Sequence, residues 1–316
     1  MDVTIADIER AQTRIKSHTH RTPLMTSRLI NQLVGCELIF KAENLQKIGA
    51  FKARGACNAL FSMDRTKLNR GVITHSSGNH GAALAWAAQL RQTQCTVVMP
   101  NNAPRAKKDA VANYAAEIVF CEPTMASREA SVAALIAARG SVLVHPYDNN
   151  QIIAGQGTAA LETLEQLDRP VDMLITPVGG GGLLSGSAIA IKESKNASDM
   201  LVLGAEPDAA DDAWRGFKNG TRVTISNPKT IADGLRGTVG VRNFSIITQH
   251  VDDILLTSEE RIIEAMRLLW TRLKMIIEPS AAVPLAAIMD QPEQFFGKRV
   301  AIILSGGNLD LDKLPW

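Results

Sequence analysis

The chain has 316 residues, with 34 lysines and arginines against 32 aspartates and glutamates, a formal net charge of +2. This near-neutral balance supplies no field that would attract a polyanion, and aromatic residues, at 4%, are too scarce for a surface that stacks nucleic-acid bases. Hydrophobic residues make up 46% and charged residues 21%, values typical of a globular protein with a large core. We therefore expect neither a nucleic-acid partner nor general disorder.

Cysteine spacing and the first residues of the chain bear on its location. The four cysteines, Cys36, Cys57, Cys95 and Cys121, lie far apart and show no zinc-binding spacing. Charged residues within 1–18 interrupt the apolar segment that an export signal needs, and no stretch is long enough to cross a bilayer. We expect a cytoplasmic protein with reduced, buried cysteines and no membrane partner.

From Gly71 onward, short β-branched runs alternate with longer alanine- and leucine-rich runs, which is the pattern of parallel βαβ units. The short runs are nearly continuously apolar, which predicts strands buried on both faces. Four alternations before residue 148 predict a small domain at 71–147 and a large domain formed by 1–70 and 148–316. The predicted strands are Gly71–His75, Thr96–Met99, Glu117–Phe120, Val142–Val144, Asp172–Thr176, Leu201–Ala205, Val251–Leu255 and Arg299–Leu304. The predicted helices include His80–Arg91, a segment after Pro104, Ala126–Arg139 and Ser258–Lys274.

Four consecutive glycines, at 179–182, follow one of these strands where a helix is expected to begin. Ligands of α/β proteins bind at the carboxyl ends of strands, and glycine lets successive backbone N–H groups surround an anion. This loop is therefore predicted to bind a phosphate. Gly186 and Glu206 complete a loose dinucleotide-binding pattern, so a nicotinamide cofactor remains an alternative. The residues of the predicted phosphate site are Gly179, Gly180, Gly181 and Gly182.

Two further loops and one lysine stand at the ends of predicted elements. The segment Ser76-Ser77-Gly78-Asn79-His80 has hydroxyl, amide and N–H groups that could hold a carboxylate, although the same residue types also cap helices. The segment Ser305-Gly306-Gly307-Asn308 is by itself typical of a turn. Lys52 begins a predicted helix, and composition alone indicates a solvated lysine there.

These segments occur in an order that resembles a known family. A Phe-Lys-x-Arg-Gly segment at 51–55, the serine loop at 76–80, the glycines at 179–182 and Ser-Gly-Gly-Asn at 305–308 are similar to the fold-type II enzymes that depend on pyridoxal phosphate, the tryptophan synthase β-like group. Within this group the chain resembles the branch of serine/threonine dehydratases and serine racemases, most of all the bacterial β-hydroxyaspartate dehydratases. The resemblance implies an α/β fold with two lobes, each a mostly parallel sheet flanked by helices, and a homodimer.

The resemblance also implies roles for individual residues. Lys52 would attach covalently to pyridoxal phosphate and remove the substrate's α-proton, and Ser77 would act as a second acid or base on the opposite face. A serine at 305 does not keep the ring nitrogen protonated, which favours elimination. The cofactor-binding residues would be Phe51, Lys52, Asn79, Gly179 to Gly182 and Ser305. The substrate-binding residues would be Ser76, Ser77, Gly78, Asn79, His80 and Arg128.

Two of the implied roles compete with simpler interpretations. The resemblance assigns Mg²⁺, or alternatively Ca²⁺ or Mn²⁺, to Glu206, the carbonyl of Ala210 and Asp212, whereas the residues alone indicate a solvated acidic start of a helix. Arg128 matches an arginine of the hydroxyaspartate dehydratases and serine racemases, and its paired N–H donors suit a second carboxylate. From the sequence alone, an exposed helix arginine is an equal alternative.

The implied function is that of an ammonia-lyase acting on a small amino acid. The enzyme would eliminate water from a β-hydroxy amino acid, with 3-hydroxyaspartate favoured over serine or threonine, and release a 2-oxo acid and ammonia. Alternatives are a serine- or aspartate-type racemase with dehydratase side activity, and an L-threonine or L-serine dehydratase. An NAD-dependent oxidoreductase is a more distant alternative.

Overall fold

The computed structural model describes residues 3–76, 78–103 and 105–316, and within these residues the chain forms ten strands and fourteen α-helices. The strands are β1 (Leu24–Met25), β2 (Glu37–Lys41), β3 (Val72–His75), β4 (Cys95–Pro100), β5 (Glu117–Cys121), β6 (Val142–Leu143), β7 (Met173–Pro177), β8 (Leu201–Pro207), β9 (Asp253–Thr257) and β10 (Arg299–Ile303). The helices are α1 (Ile5–Ile15), α2 (Arg28–Val34), α3 (Lys52–Phe61), α4 (Arg65–Leu68), α5 (Asn79–Arg91), α6 (Arg105–Ala112), α7 (Met125–Arg139), α8 (Asn150–Gln166), α9 (Gly182–Lys192), α10 (Asp212–Asn219), α11 (Val241–His250), α12 (Glu259–Leu273), α13 (Pro279–Asp290) and α14 (Pro292–Phe295).

The strands form two sheets. The larger sheet has six strands in the order β1-β2-β10-β7-β8-β9, and its strand pairs are parallel except β1 with β2. The smaller sheet has four parallel strands in the order β5-β4-β3-β6. The predicted fold, two mostly parallel sheets flanked by helices, is confirmed. The smaller sheet lies inside the interval 71–147, and the division of the chain into domains at those boundaries stays a prediction.

The predicted elements form, with one error of burial. All eight predicted strands are present within two residues of their expected ends, and Ser258 caps α12 by accepting a hydrogen bond from the Arg261 N–H at 3.2 Å. Pro104 lies outside the described residues. The expectation that every strand is buried on both faces is wrong for the two outer strands of the smaller sheet: Glu117 and Phe120 of β5 are exposed, and so is Leu143 of β6. β5 is an edge strand, and the helices cover it incompletely.

Apolar side chains of the larger sheet alternate between its two faces. In β2, Leu38 and Phe40 pack with α12 and α13 on one face, whereas Ile39 packs with α8 and α9 on the other. This alternation follows from the two-residue period of a strand. Helices therefore cover both faces, and the carboxyl ends of the parallel strands are the open edge at which side chains from several loops can meet.

A buried ionic network ties α3 to the larger sheet and to α8. The Arg54 guanidinium donates to both carboxylate oxygens of Glu43 at 2.7 Å and to those of Glu162 at 3.0 and 3.2 Å. Lys41 donates to Glu162 and, at 2.9 Å, to the Thr22 carbonyl. Burial acts to raise the pKa of Glu43, but Arg54 holds it below its usual value. The network joins two cations to two anions, so no net charge is buried.

We expect Arg54→Met to lower the free energy of unfolding by about 3–5 kcal/mol, because Glu43 and Glu162 would keep buried charges without their main partner. Urea denaturation followed by circular dichroism measures this difference. The matched control is Arg10→Met, which breaks an exposed pair with Asp7 and should cost at most about 1 kcal/mol. Equal effects of the two substitutions would contradict the importance of the network.

Candidate active site

Lys52 is the first residue of α3, and its side chain is half-buried. Its Nζ donates a hydrogen bond to the Pro146 carbonyl at 2.9 Å and lies 5.1 Å from the centroid of the Phe51 ring. Burial lowers the pKa of Lys52 to about 8, while the negative charge of Glu278 acts in the opposite direction. An amine with such a pKa exchanges a proton near neutral pH, which is typical of a catalytic group.

The loop that follows β10 lies directly beside this lysine. The Phe51 N–H donates to the Ser305 carbonyl at 3.0 Å, and Ala50 forms a β-bridge with Gly306. Ser305 is 3% exposed. The structure therefore brings together Phe51, Lys52 and Ser305, which sequence reasoning selected separately.

Asn79, at the start of α5, is held by a buried carboxylate. Its Nδ2 donates to Glu278 Oε1 at 3.0 Å and Oε2 at 3.2 Å, and its Oδ1 accepts from Asn308 Nδ2 at 3.0 Å. Burial, reinforced by the charge of Asp233, raises the pKa of Glu278 to about 7, although the Asn79 hydrogen bond acts against this rise. Sequence reasoning did not select Glu278 as a site residue. The available signal was a carboxylate directly after two isoleucines and before the proline that begins α13.

The four glycines connect β7 to α9, as predicted. Gly181 has φ +89°, a left-handed conformation that glycine adopts without strain. A Cβ at Gly179 would lie 2.9 Å from the Gly234 carbonyl oxygen, which leaves no space for a side chain. Among the described residues, none accepts a hydrogen bond from the N–H groups of 179–182. Unpaired N–H groups at the start of a helix suit a phosphate.

The serine loop contributes in part. Ser77 lies outside the described residues, and the Gly78 N–H makes a long 3.4 Å contact with Ser76 Oγ. His80 is 2% exposed, and its Nε2 lies 3.2 Å from the Val144 carbonyl oxygen. Burial, and secondly the positive charge of Lys52, lower the pKa of His80 well below its usual value. His80 is therefore neutral, and its ring is directed into the protein. Its backbone N–H remains the group suited to a substrate carboxylate.

Arg128 is half-buried in α7, and its Nε is buried without a hydrogen-bond partner in the described part of the chain. Burial is the main cause of the lowered pKa of His75. The charge of Glu129 opposes this change, and the charge of Arg128 adds to it. Arg128 therefore acts electrostatically on the carboxyl end of β3. Among the described residues, no hydrogen bond connects the Arg128 side chain to Lys52 or to the glycine loop.

The predicted metal ligands form a separate buried group. Glu206 accepts hydrogen bonds from the N–H groups of Ala213 (3.3 Å) and Trp214 (2.8 Å), and Asp212 Oδ2 accepts from the Val239 N–H (2.9 Å). Asp212 Oδ1 is buried without a partner among the described residues. Burial, followed by the charge of Asp212, raises the pKa of Glu206 well above its usual value, and burial raises that of Asp212 to about 6.

This acidic group fits a hard cation. Two buried carboxylates lie close enough to repel each other, and no ion pair with a described lysine or arginine compensates them. Ala210 is fully buried in the turn that leads to Asp212. The described residues contain no cluster of three or more His, Cys, Asp or Glu side chains that could hold a metal ion. A metal site here therefore needs further ligands, such as the Ala210 carbonyl or water.

Comparisons with known proteins show which family this chain is similar to. The sequence profile of the family described as "Pyridoxal-phosphate dependent enzyme" matches residues 15–306. A β-hydroxyaspartate dehydratase of Paracoccus denitrificans is 48% identical over 313 residues, 99% of this chain and 98% of that protein. An L-threo-3-hydroxyaspartate ammonia-lyase of Saccharomyces cerevisiae is 42% identical over 311 residues, 98% and 94% of the two chains. The crystal structure of a serine racemase from Dictyostelium discoideum superposes with a TM-score of 0.91 at 48% identity, covering 98% of this chain and 99% of that one.

The lowered pKa of Lys52 can be measured on the cofactor-free protein. The neutral amine of Lys52 reacts with an acylating reagent supplied in limiting amount. We expect the rate of this acylation to rise with pH with a midpoint near 8, whereas a lysine in a model peptide titrates at about 10.4. Glu278→Gln removes the charge that favours the protonated amine, so the midpoint should fall further. Peptide mass spectrometry follows Lys52 with exposed Lys67 as an internal reference. A midpoint that Glu278→Gln leaves unchanged would contradict the electrostatic coupling.

Proposed function

Because the chain belongs to the family of pyridoxal-phosphate-dependent enzymes, we propose that it is an ammonia-lyase that eliminates water from 3-hydroxyaspartate and releases a 2-oxo acid and ammonia. One observation carries the proposal. Lys52, whose pKa is lowered to about 8, shares the carboxyl edge of the strands with a glycine loop whose N–H groups are unpaired among the described residues. The names of the two relatives that act on hydroxyaspartate support the substrate.

The residues of the site suit the cofactor. Lys52 would hold pyridoxal phosphate covalently, residues 179–182 would bind its phosphate, Asn79 its ring hydroxyl and Ser305 its ring nitrogen. The ring of Phe51, beside the lysine amine, supplies an apolar neighbour. When bound, the cofactor supplies an electron sink for the electron pair left by the α-proton.

The chain's own groups would then act on the substrate. The neutral Lys52 amine removes the α-proton, and its pKa of about 8 leaves a useful neutral fraction at physiological pH. Backbone N–H groups at the start of α5 bind the α-carboxylate, favoured by the positive end of that helix. The β-hydroxyl leaves as water, and hydrolysis of the released product takes up one water, so the sum is one 2-oxo acid and one ammonia for each hydroxy amino acid.

Arg128 is proposed to bind the second carboxylate of 3-hydroxyaspartate. Its Nε, which has no hydrogen-bond partner among the described residues, and its effect on the pKa of His75 support a position near the carboxyl end of β3, where the substrate is proposed to bind. A guanidinium pairs with a carboxylate through two parallel hydrogen bonds. Serine and threonine, as substrates, have no side-chain carboxylate to accept them.

Racemisation is the second candidate function. The serine racemase of Dictyostelium is 48% identical to this chain, and Ser77 precedes Asn79 and His80 by two and three residues in the sequence. A hydroxyl on the face opposite Lys52 could return a proton there. Formation of D-serine from L-serine, measured in the same assays, decides how much of this activity is present.

A divalent cation, a homodimer and a cytoplasmic location complete the proposal. The buried Glu206 and Asp212 carboxylates support Mg²⁺, with Ca²⁺ or Mn²⁺ as alternatives. Exposed Leu29 and Leu33 on α2 offer apolar surface for a second copy of the chain. The four cysteines are free and buried, which suits a reducing compartment. No helix among residues 3–76, 78–103 and 105–316 has the length and apolar character needed to span a membrane.

The substrate is tested by comparing kcat/KM for 3-hydroxyaspartate and threonine. We expect 3-hydroxyaspartate to be the better substrate and Arg128→Ala to lower its kcat/KM about 10- to 100-fold, with little effect on threonine, because one charged hydrogen-bonded pair is lost. Arg139→Ala, on the same helix but paired with Glu117, is the matched control. Equal efficiencies on both substrates in the unmodified enzyme would remove the argument from Arg128.

The cofactor and the lysine are tested by borohydride reduction. Borohydride reduction should attach pyridoxal phosphate irreversibly to Lys52. Lys52→Ala should abolish both this labelling and turnover. Lys67→Ala, at an exposed position, should change neither. A Lys52→Ala variant with a normal rate would overturn the proposed function.

The metal is tested by thermal unfolding of chelator-treated protein. At a Mg²⁺ concentration 100 times its dissociation constant, binding should stabilise the protein by about 2.7 kcal/mol and raise Tm. Asp212→Asn retains an oxygen that can accept from the Val239 N–H but removes one anionic ligand, so the shift should disappear. Asp211→Asn, whose side chain pairs with Arg215, should keep it. A protein whose Tm responds to none of the three cations holds no metal at this place.

A further inference from the structure

The side chain of Tyr147 covers the glycine loop. A Cβ built on Gly180 would lie 2.2 Å from Cγ and Cδ1 of Tyr147 and 2.4 Å from its Cδ2, so the ring lies across the position where a side chain would begin. A Cβ on Gly182 would lie 3.3 Å from the Cβ and the carbonyl oxygen of the same tyrosine. Tyr147 therefore forms one wall of the loop proposed to bind phosphate.

The reason for a glycine at 180 differs from the reason at 181. Gly181 has φ +89°, whereas Gly180 is not among the residues with positive φ. The φ angle of Gly180 does not require glycine, but the space beside its Cα leaves no room for a side chain. The ring of Tyr147 occupies that space, so the glycine and the tyrosine are complementary in shape.

Several contacts hold Tyr147 in this position. Asn243 Nδ2 donates to the Tyr147 carbonyl at 3.1 Å and to the Gly180 carbonyl at 2.8 Å, joining the two segments directly. The Asp148 carboxylate accepts from the Val241 N–H at 3.1 Å and from the following N–H at 3.0 Å, at the start of α11. The rings of His145 and Tyr147 meet edge to face, 4.6 Å between centroids. The hydrogen bonds therefore fix the backbone at 147–148 beside Gly180, and the His145 ring is an aromatic neighbour of the Tyr147 ring.

The same segment contacts the lysine at the other end of the site. The carbonyl of Pro146, the residue before Tyr147, accepts the hydrogen bond from Lys52 Nζ. Residues 145–148 thus touch both the amine and the loop, the two places proposed to hold opposite ends of one cofactor.

We propose that Tyr147 is a positioning residue for the phosphate of pyridoxal phosphate. Its ring supports the Gly180 peptide so that the N–H groups of 179–182 stay directed toward one anion, and it makes glycine obligatory at 180. The inference rests on the proposed function, because it takes the phosphate of that cofactor as the ligand of the loop.

The test is a double-mutant cycle on cofactor affinity. The dissociation constant of pyridoxal phosphate is measured by equilibrium dialysis of the cofactor-free protein and of Tyr147→Ala, Gly180→Ala and the double variant. Each single substitution should weaken binding about tenfold or more, the first by removing the support and the second by overpacking. The double variant should bind more tightly than Gly180→Ala, because the added methyl group gains the space of the deleted ring.

Gly179→Ala is the matched control. Its Cβ would meet backbone atoms, the Gly234 carbonyl oxygen at 2.9 Å and Leu235 Cα at 3.0 Å, so Tyr147→Ala should not restore affinity there. Tyr147→Phe keeps the ring and should bind the cofactor within about twofold of the unmodified protein. If Gly180→Ala gives no folded protein, recovery of a cooperative thermal transition in the double variant reports the same relief of the clash.

The outcomes separate the two proposals. Recovery at position 180 without recovery at 179 supports the inference. A double variant that binds no better than Gly180→Ala, or a Tyr147→Ala variant with unchanged affinity, overturns it while the proposed function stands. Failure of the unmodified protein to bind pyridoxal phosphate at all overturns both.

Discussion

The ion pairs of Arg54 set the geometry on which the rest of the site depends. Arg54 lies two residues after Lys52 in α3, and it pairs with Glu43, which follows β2, and with Glu162 of α8. A guanidinium with bidentate partners has little freedom, and burial makes any departure costly because the carboxylates would lose their compensation. The first turn of α3 is thereby held against the larger sheet. The amine of Lys52 consequently lies beside Pro146 and within electrostatic reach of Glu278.

Burial then sets the protonation of the groups around this helix. Desolvation lowers the pKa of Lys52 and raises those of Glu278, Glu206 and Asp212, so each group is moved toward its neutral form. For the lysine, the result is an amine able to act as a base. For Glu206 and Asp212, the result is a pair of carboxylates that a cation would stabilise. The acidic pair lies near the glycine loop, because Asp212 accepts from the N–H of Val239, whose side chain lies 3.3 Å from the Cβ position of Gly181.

Local patterns predicted much of the fold and part of the site. The parallel strands from β3 onward were predictable because strands buried on both faces are continuously apolar, and the glycine loop was predictable because four consecutive glycines between a strand and a helix are typical of an anion-binding loop. β2 was not predicted, since its apolar run is only three residues long and is bounded by Glu37 and Lys41. Glu278 and Tyr147 were not selected either. Their importance comes from contacts with Asn79 and Gly180, which are distant along the chain.

The sequence by itself determined the α/β class and the order of the loops, and its resemblance to a family led to the prediction of Lys52 as the reactive group. These properties depend on short-range periodicity, on glycine and proline chemistry and on motifs, and each of these signals comes from residues close together in the sequence. The tertiary structure alone decided which polar groups are compensated and which side chains share a space. It joined Arg54 to its carboxylates, placed a buried acid beneath Asn79 and laid the Tyr147 ring over Gly180. The physical reason is that desolvation and steric exclusion act between neighbours in space, and packing of the two sheets and their helices establishes those neighbours.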